Sequence, residues 1–187
     1  GLMLRNLHQK YGKDHSIEMI GRIFRLGIEY LFRKGFTSAL SDTDLPESAR
    51  MKIKEDLDTA KVDVDNLIAQ FKNGKLDVFP GKTMQETLEL RILEVLNKAR
   101  NETGKTVANH ADKRTHTMIM AESGARGNLL NLAQMAACVG QQAMRGKRIE
   151  KGYEHRTLSH FRKNDLGSEA RGFITDGFKT GLTPAEF

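Results

Sequence analysis

The sequence predicts a mainly α protein: a helical hairpin forming an antiparallel coiled-coil arm, joined to a buried-helix domain with short irregular and β pieces. Three observations predict it. Two stretches of similar length carry apolar residues at alternating spacings of four and three. A short run containing Pro80 and Gly81 separates them. A third stretch, from Leu129 to Val139, is apolar on nearly every side, and such a helix belongs inside a protein.

Taken in chain order, Ile17, Ile20, Phe24, Ile28, Leu31 and Phe32 recur at helical spacing, which predicts a helix opening after Asp14 or Ser16 and closing before Gly35. A second helix should open at Asp44, with Pro46 in its first turn and Glu47 three residues after the cap. Its apolar positions are Ile53, Leu57, Ala60, Val64, Leu67 or Ile68, and Phe71, and Asn73-Gly74 ends it. Thr83 to Glu86 form a capping box for a third helix, with Leu88, Ile92, Val95 or Leu96, and Ala99 on one side and Gly104 as its end. These two helices fold back on each other over residues 44–104 as an arm on the order of 40 Å long. Its charged outer faces suit either a plain strut or a docking post.

Residues 105–121 read as an irregular or short-helical connector. Asn128 then caps a helix expected to run to Met144, with Gly140 inside it and Gly146 closing it before Lys147 and Arg148. Short extended pieces and turns follow to about Phe173. Thr183-Pro184-Ala185-Glu186 is again a helix-start signal with only Phe187 after it. Together with the missing initiator Met, that leads us to expect a fragment of a longer chain.

Composition narrows the function classes. Aromatic residues make up 6% of the chain and Trp is absent, so Leu, Ile, Met and Ala must fill the core. No apolar run approaches the roughly 20 residues needed to span a bilayer, and no signal-peptide pattern opens the chain, so no membrane partner is expected. The lone Cys138 excludes an intramolecular disulfide and a cysteine-rich zinc site. It suits a reducing compartment, the cytoplasm, or the nucleus in a eukaryote. Net charge is +6, and residues 103–163 alone carry 11 basic against 4 acidic side chains. Such a concentration fits a polyanion, or equally a solvated face balanced elsewhere.

Several motifs fail as chemistry. Gly81-Lys82-Thr83 and Gly104-Lys105-Thr106 imitate the end of a phosphate-binding loop, but Leu76 and Ala99 stand where its first glycine is required. The six histidines show no metal-ligand pairing, and no metal site is expected. What survives is Ser123-Gly124-Ala125-Arg126-Gly127. Two glycines, a helix start and an Arg fork could hold a phosphate group. The plainer alternative is a turn whose Arg126 pairs with Glu122.

The run from Glu122 to Ile149, ESGARGNLLNLAQMAACVGQQAMRGKRI, resembles the largest subunit of multisubunit DNA-dependent RNA polymerases, in the segment bordering the nucleotide-access channel. The likeness continues through HRTLSHF (155–161) and ARGFITDGFKTGLTPAEF (170–187), and includes GLMLRNL and GFTSALSDT (35–43) at the front. AACVGQQ with GKRI looks archaeal or eukaryotic, and Arg126 where eukaryotic messenger-RNA polymerases usually carry Lys tilts the reading to archaeal. The resemblance implies that 44–104 are the funnel helices at the rim of the secondary channel, and that 1–43 with 105–187 form the pore wall. It places Arg126 at the basic position reaching for the triphosphate of an incoming nucleotide, and Asn131 and Gln134 facing the neighbouring bridge helix. Gln141, Gln142, Gly146 and Lys147 would line the channel where eukaryotic members bind amatoxin, although Ala143 and Arg145 depart from the usual Ser and Glu.

The partners implied are other polymerase subunits, nucleoside triphosphates and transcript-cleavage factors at the hairpin, with DNA and RNA met only in the intact enzyme. No catalytic residue and no cofactor is expected in this chain. The magnesium-binding aspartates, the bridge helix and the trigger element lie outside it, so the nucleotidyltransferase chemistry belongs to the whole polymerase and the isolated piece should be inactive.

Overall fold

Two long helices pack along each other and carry half of the buried apolar residues. The computed structural model describes residues 1–187, with element order α1 (Leu2–Lys34), α2 (Glu47–Lys72), α3 (Met84–His110), α4 (His116–Ser123), α5 (Leu129–Ala136), then four two-residue strands. These are β1 (Gly140–Gln141), β2 (Ala143–Met144), β3 (Lys147–Arg148) and β4 (Phe173–Ile174). The fold is mainly α, as predicted, with only small strand pieces. No helix is long and apolar enough to cross a membrane.

By contacts the chain divides into residues 1–38 and 39–187. In the first unit α1 begins well before the expected Asp14 or Ser16 and is broken at Gly12, whose φ of 79° is not helical. Ser16 donates its hydroxyl to the Gly12 carbonyl at 2.7 Å, restarting the helix beyond the break. Gly35 ends it as predicted, donating its amide to Leu31. Its apolar positions are exposed, Phe24 at 68% and Phe32 at 86%.

In the second unit the α2–α3 seam follows the predicted spacing. Ile53, Leu57, Ala60, Val64 and Ile68 are buried against Leu88, Ile92, Leu96 and Ala99. Twenty-six and 27 residues give an arm of about 40 Å at 1.5 Å per residue. The start of α2 departs from expectation: it opens at Glu47 after Pro46. Asp44 instead closes a 3₁₀ turn over Leu40–Thr43, and its carboxylate accepts from Lys179. That hydrogen bond holds the Asp44 carboxyl below its usual pKa. At the far end Lys75 donates to Gln70 and Gly74 to Phe71, the paired bonds of a Schellman closure. Thr83 and Glu86 form the predicted reciprocal capping box, Thr83 N to Glu86 Oε2 at 2.8 Å and Glu86 N to Thr83 Oγ1 at 3.2 Å.

Gly104 does not end α3. The helix continues to His110, burying Thr103, Thr106 and Val107 beyond the glycine. A Cβ added at Gly104 would lie 3.7 Å from the Ala133 Cβ, so the small residue marks where α5 packs on α3. The supposed connector is therefore the last turns of α3, a short loop, and α4, which Thr115 caps.

The longest departure lies after Ala136. Asn128 caps α5 as predicted, accepting from Asn131 N at 2.9 Å, but the helix stops at Ala136, eight residues before the expected Met144. Helix continuation would need the carbonyls of Gln134 and Met135 to accept from the amides four residues on. They accept instead from Phe178 and Lys179. The Val139 amide turns to Asp176, Gly140 pairs with Ile174 and Gln141 with Phe173. Gly140 adopts φ 83° and packs on Arg100, whose Cδ would be 2.9 Å from an added Cβ. Gly146 closes no helix: with Arg145 at φ 52° and Gly146 at φ 78°, it forms the tight turn between β2 and β3, which pair antiparallel. The apolar run through Cys138 and Val139 is buried because it is an extended segment inside the fold.

Gly104→Ala separates the two readings of that residue. A left-handed terminator would lose stability, whereas a helical interior position should gain about 0.5–1 kcal/mol. We expect the gain, read as a higher urea midpoint with an unchanged slope.

Candidate functional site

The turn between α4 and α5 is built from its two flanks. Met118 of α4 and Leu132 of α5 are each 1% exposed in the shared core, so both helix ends that hold the turn are anchored. Gly124 takes the left-handed conformation at the α4 end. Its amide and that of Ala125 return to the carbonyls of Ala121 and Met120. These two amides close α4 and do not form an anion nest, which narrows the phosphate-ready surface to Arg126, Gly127 and the start of α5. Gly127 has φ 71°, and an added Cβ there would meet the Asn131 side chain at 3.6 Å. Arg126 is exposed and enters no ion pair; Glu122 is not its partner. An unpaired guanidinium beside a helix N-terminus is chemically suited to phosphate oxygens.

The remaining sequence-predicted residues fall into separate places. Asn131 is exposed one turn into α5, and Gln134 is half-buried on the same helix. Gln141 is buried, its amide nitrogen donating to the carbonyls of Gln142 at 2.6 Å and Arg171 at 2.9 Å. Its Oε1 has no hydrogen-bond partner. Gln142 lines a cleft of about 920 Å³ together with Ile149, Leu158, Phe173 and Pro184. Gly146 and Lys147 lie at the β2–β3 turn, lining a smaller cleft of about 360 Å³ against Lys82, Glu86 and Leu90. There the Thr83 backbone amide and hydroxyl, aided by Lys82 and Lys147, hold the Glu86 carboxyl below its usual pKa. Arg126 and Lys147 therefore belong to different surfaces.

Part of the basic excess of residues 103–163 is paired, most of it at the exposed surface. Lys105 pairs with Glu102, Arg114 with Asp112 and Lys163 with Glu154. Arg148, next to Lys147 in the same basic segment, is 2% exposed. Its Nε donates to Glu89 Oε2 at 2.8 Å and its Nη2 to Glu89 Oε1 at 3.0 Å. The same guanidinium donates to the carbonyls of Leu166 at 3.1 Å and Gly167 at 3.3 Å. Nothing in the spacing of Lys147-Arg148 distinguishes an outward cation from a buried one; the only hint is that strand neighbours point to opposite faces.

Cys138 is likewise interior. Burial pushes its thiol pKa up, against the opposing contact with Thr103 at 3.6 Å. At the chain's last turn Glu186 reaches back to the Thr183 amide at 3.0 Å. Burial and the neighbouring Glu186 push the Asp176 carboxyl up. No group of three or more His, Cys, Asp or Glu side chains could hold a metal ion.

With this geometry in place, comparison with known proteins is direct. The sequence profile of RNA polymerase Rpb1, domain 4, matches residues 68–174, and the chain belongs to that family of RNA polymerase largest subunits. Over its whole length it is 43% identical to the DNA-directed RNA polymerase subunit Rpo1N of Methanothermobacter thermautotrophicus strain Delta H. It is 43% identical to the Halococcus morrhuae subunit of the same name, and 42% identical to that of Thermococcus celer. The chain spans 22%, 54% and 21% of those proteins respectively. The archaeal reading of the sequence agrees with these relatives.

Arg148→Met leaves Glu89 facing the fold without its cation. Breaking one partner of a buried pair costs about 3–5 kcal/mol, which should appear as a large fall in the urea midpoint. Arg148→Met combined with Glu89→Leu should recover much of that loss. A single variant as stable as the parent would show that the pair does not hold the fold together.

Proposed function

We propose that this chain forms part of the wall of the channel through which nucleotides reach the active site of a multisubunit RNA polymerase, with Arg126 contacting the triphosphate. The observation that carries this reading is Arg126 itself: exposed, without an ion pair, and set on a turn whose flanks are anchored by Met118 and Leu132. An anchored turn saves the backbone entropy of placing the cation, and the planar guanidinium fork loses less side-chain entropy per hydrogen bond than an ammonium would. Catalysis, its magnesium and the contacts with DNA, RNA and other subunits belong to the assembled polymerase. Asn131, in the first turn of the helix that follows Arg126, fits a role in facing a neighbouring helix of that assembly, and Lys147 a role at the channel lining.

The hairpin supports a second, compatible role as a docking arm for transcript-cleavage factors. Its tip carries exposed Val78 and Phe79, with Lys72, Lys75 and Lys82 around them and the Arg91 guanidinium 5.2 Å from the Phe79 ring. An apolar spot ringed by cations suits an acidic protein partner.

Two measurements test these roles. In a polymerase assembled with the substituted subunit, Arg126→Ala should raise the apparent KM for nucleotide roughly tenfold to a hundredfold, the value of one charge-assisted contact; an unchanged KM rejects the triphosphate role. Charge reversal at Lys72, Lys75 and Lys82 should impair stimulation by a cleavage factor and spare elongation. Equal loss of both activities would rule out the docking role.

A further inference from the structure

A second concave surface lies at the opposite end of α5 from Arg126, about 12 Å along an eight-residue helix. It is a cleft of about 660 Å³ between the first turns of α2 and the segment from Thr175 to Thr180. Its floor is apolar: Leu45, Ile53, Leu57 and Ala137 line it and are all buried. Its rim is cationic, with Arg50, Lys54, Lys61 and Lys179. Lys179 and Lys61 have carboxylate partners, Asp44 and Glu169. Arg50 and Lys54 stand one helical turn apart on α2 and enter no ion pair.

We propose that this cleft binds a phosphate-bearing ligand with a flat apolar body, of the size of a nucleoside phosphate. Arg50 and Lys54 hold the phosphate, and Leu45, Ile53, Leu57 and Ala137 receive the body. An apolar floor beneath a charged rim selects for amphipathic anions, because neither inorganic phosphate nor a neutral aromatic satisfies both. Lys179 adds a third donor when it exchanges Asp44 for phosphate, a move open to a flexible ammonium. Two carboxylates also line the cleft. Asp58 lies one turn beyond Lys54. Asp176 lies against Lys61, and burial together with Glu186 pushes its carboxyl up, so its negative charge is the more easily given up beside an incoming anion. The two sites differ in kind: Arg126 offers a single cation on an exposed turn, whereas this cleft offers a floor as well. The inference does not depend on the role proposed for Arg126.

The test is calorimetric titration of the 187-residue chain with ATP, tripolyphosphate, adenosine and a 5′-phosphorylated hexa-adenylate RNA, at low and moderate salt. We expect ATP to bind more tightly than tripolyphosphate, and adenosine to give no heat. Arg50→Ala with Lys54→Ala should weaken ATP at least about tenfold, with the circular dichroism spectrum unchanged because both side chains are exposed. Lys98→Ala, at an exposed cation on α3 outside the cleft, should leave the ATP affinity as it was. Tighter binding of the RNA than of ATP, again lost with Arg50 and Lys54, would assign the same phosphate site to a strand end. Three results would overturn the proposal: no binding of either phosphate ligand at millimolar concentration, affinity indifferent to Arg50 and Lys54, or affinity abolished by Arg126→Ala.

Discussion

Arg148 is the residue on which the second half of the chain depends. A guanidinium cannot shed its charge inside a protein, so burying it is tolerable only when acceptors surround it. Here four oxygens do so, two from Glu89 on α3 and two carbonyls from Leu166 and Gly167. The arrangement joins three parts of the chain that are distant in sequence. It fixes β3 against the long hairpin, and it brings residues 166–167 to the same spot. The following turn at Glu169–Arg171 and strand β4 are thereby delivered to β1.

A second junction sets the position of the candidate site. Helix α5 packs on α3 at Gly104 and Ala133, and Thr103 of α3 meets Cys138 just beyond α5. The amides of Phe178 and Lys179 then take the carbonyls that a longer helix would have used. Gly177 makes this approach possible: an added Cβ would lie 2.8 Å from the Met135 carbonyl oxygen. The result is a short α5 with different surfaces at its two ends. At the start is the exposed Arg126 turn, and beyond the finish is the apolar floor with its cationic rim. The same closure that shortens the helix therefore creates the second cleft.

The hairpin was legible residue by residue because its determinants are local. The four-three spacing of Ile53 to Ile68 and Leu88 to Ala99 depends only on helix geometry, and Thr83 with Glu86 caps its own backbone. Arg126 was legible as a cation at a glycine turn for a similar reason; that it stands apart from Glu122 was not. Three readings failed where the deciding partner is far away in sequence. Asp44 looked like a helix cap until Lys179 claimed its carboxylate. Gly104 looked like a terminator because its packing partner, Ala133, is in another helix. The run Ala136 to Val139 is apolar whether helical or extended, and periodicity alone cannot separate a buried strand from a buried helix.

Alone, the sequence determined the two hairpin helices, where α3 and α5 are capped at their starts, and which apolar positions form the hairpin seam. Family membership was also open to it, carried by the run from Glu122 to Ile149. Only the tertiary structure decided that Arg148 points inward while Lys147 points outward, that Gln141 spends its amide on the Gln142 and Arg171 carbonyls, and that the basic side chains of residues 103–163 divide between one internal ion pair, surface pairs and unpaired surface cations. Caps and helical spacing act over three or four residues and are written in the local chain. The fate of a buried charge is set by acceptors that arrive from elsewhere in the sequence, here Glu89 from 59 residues before Arg148 and the carbonyls from 18 and 19 residues after it.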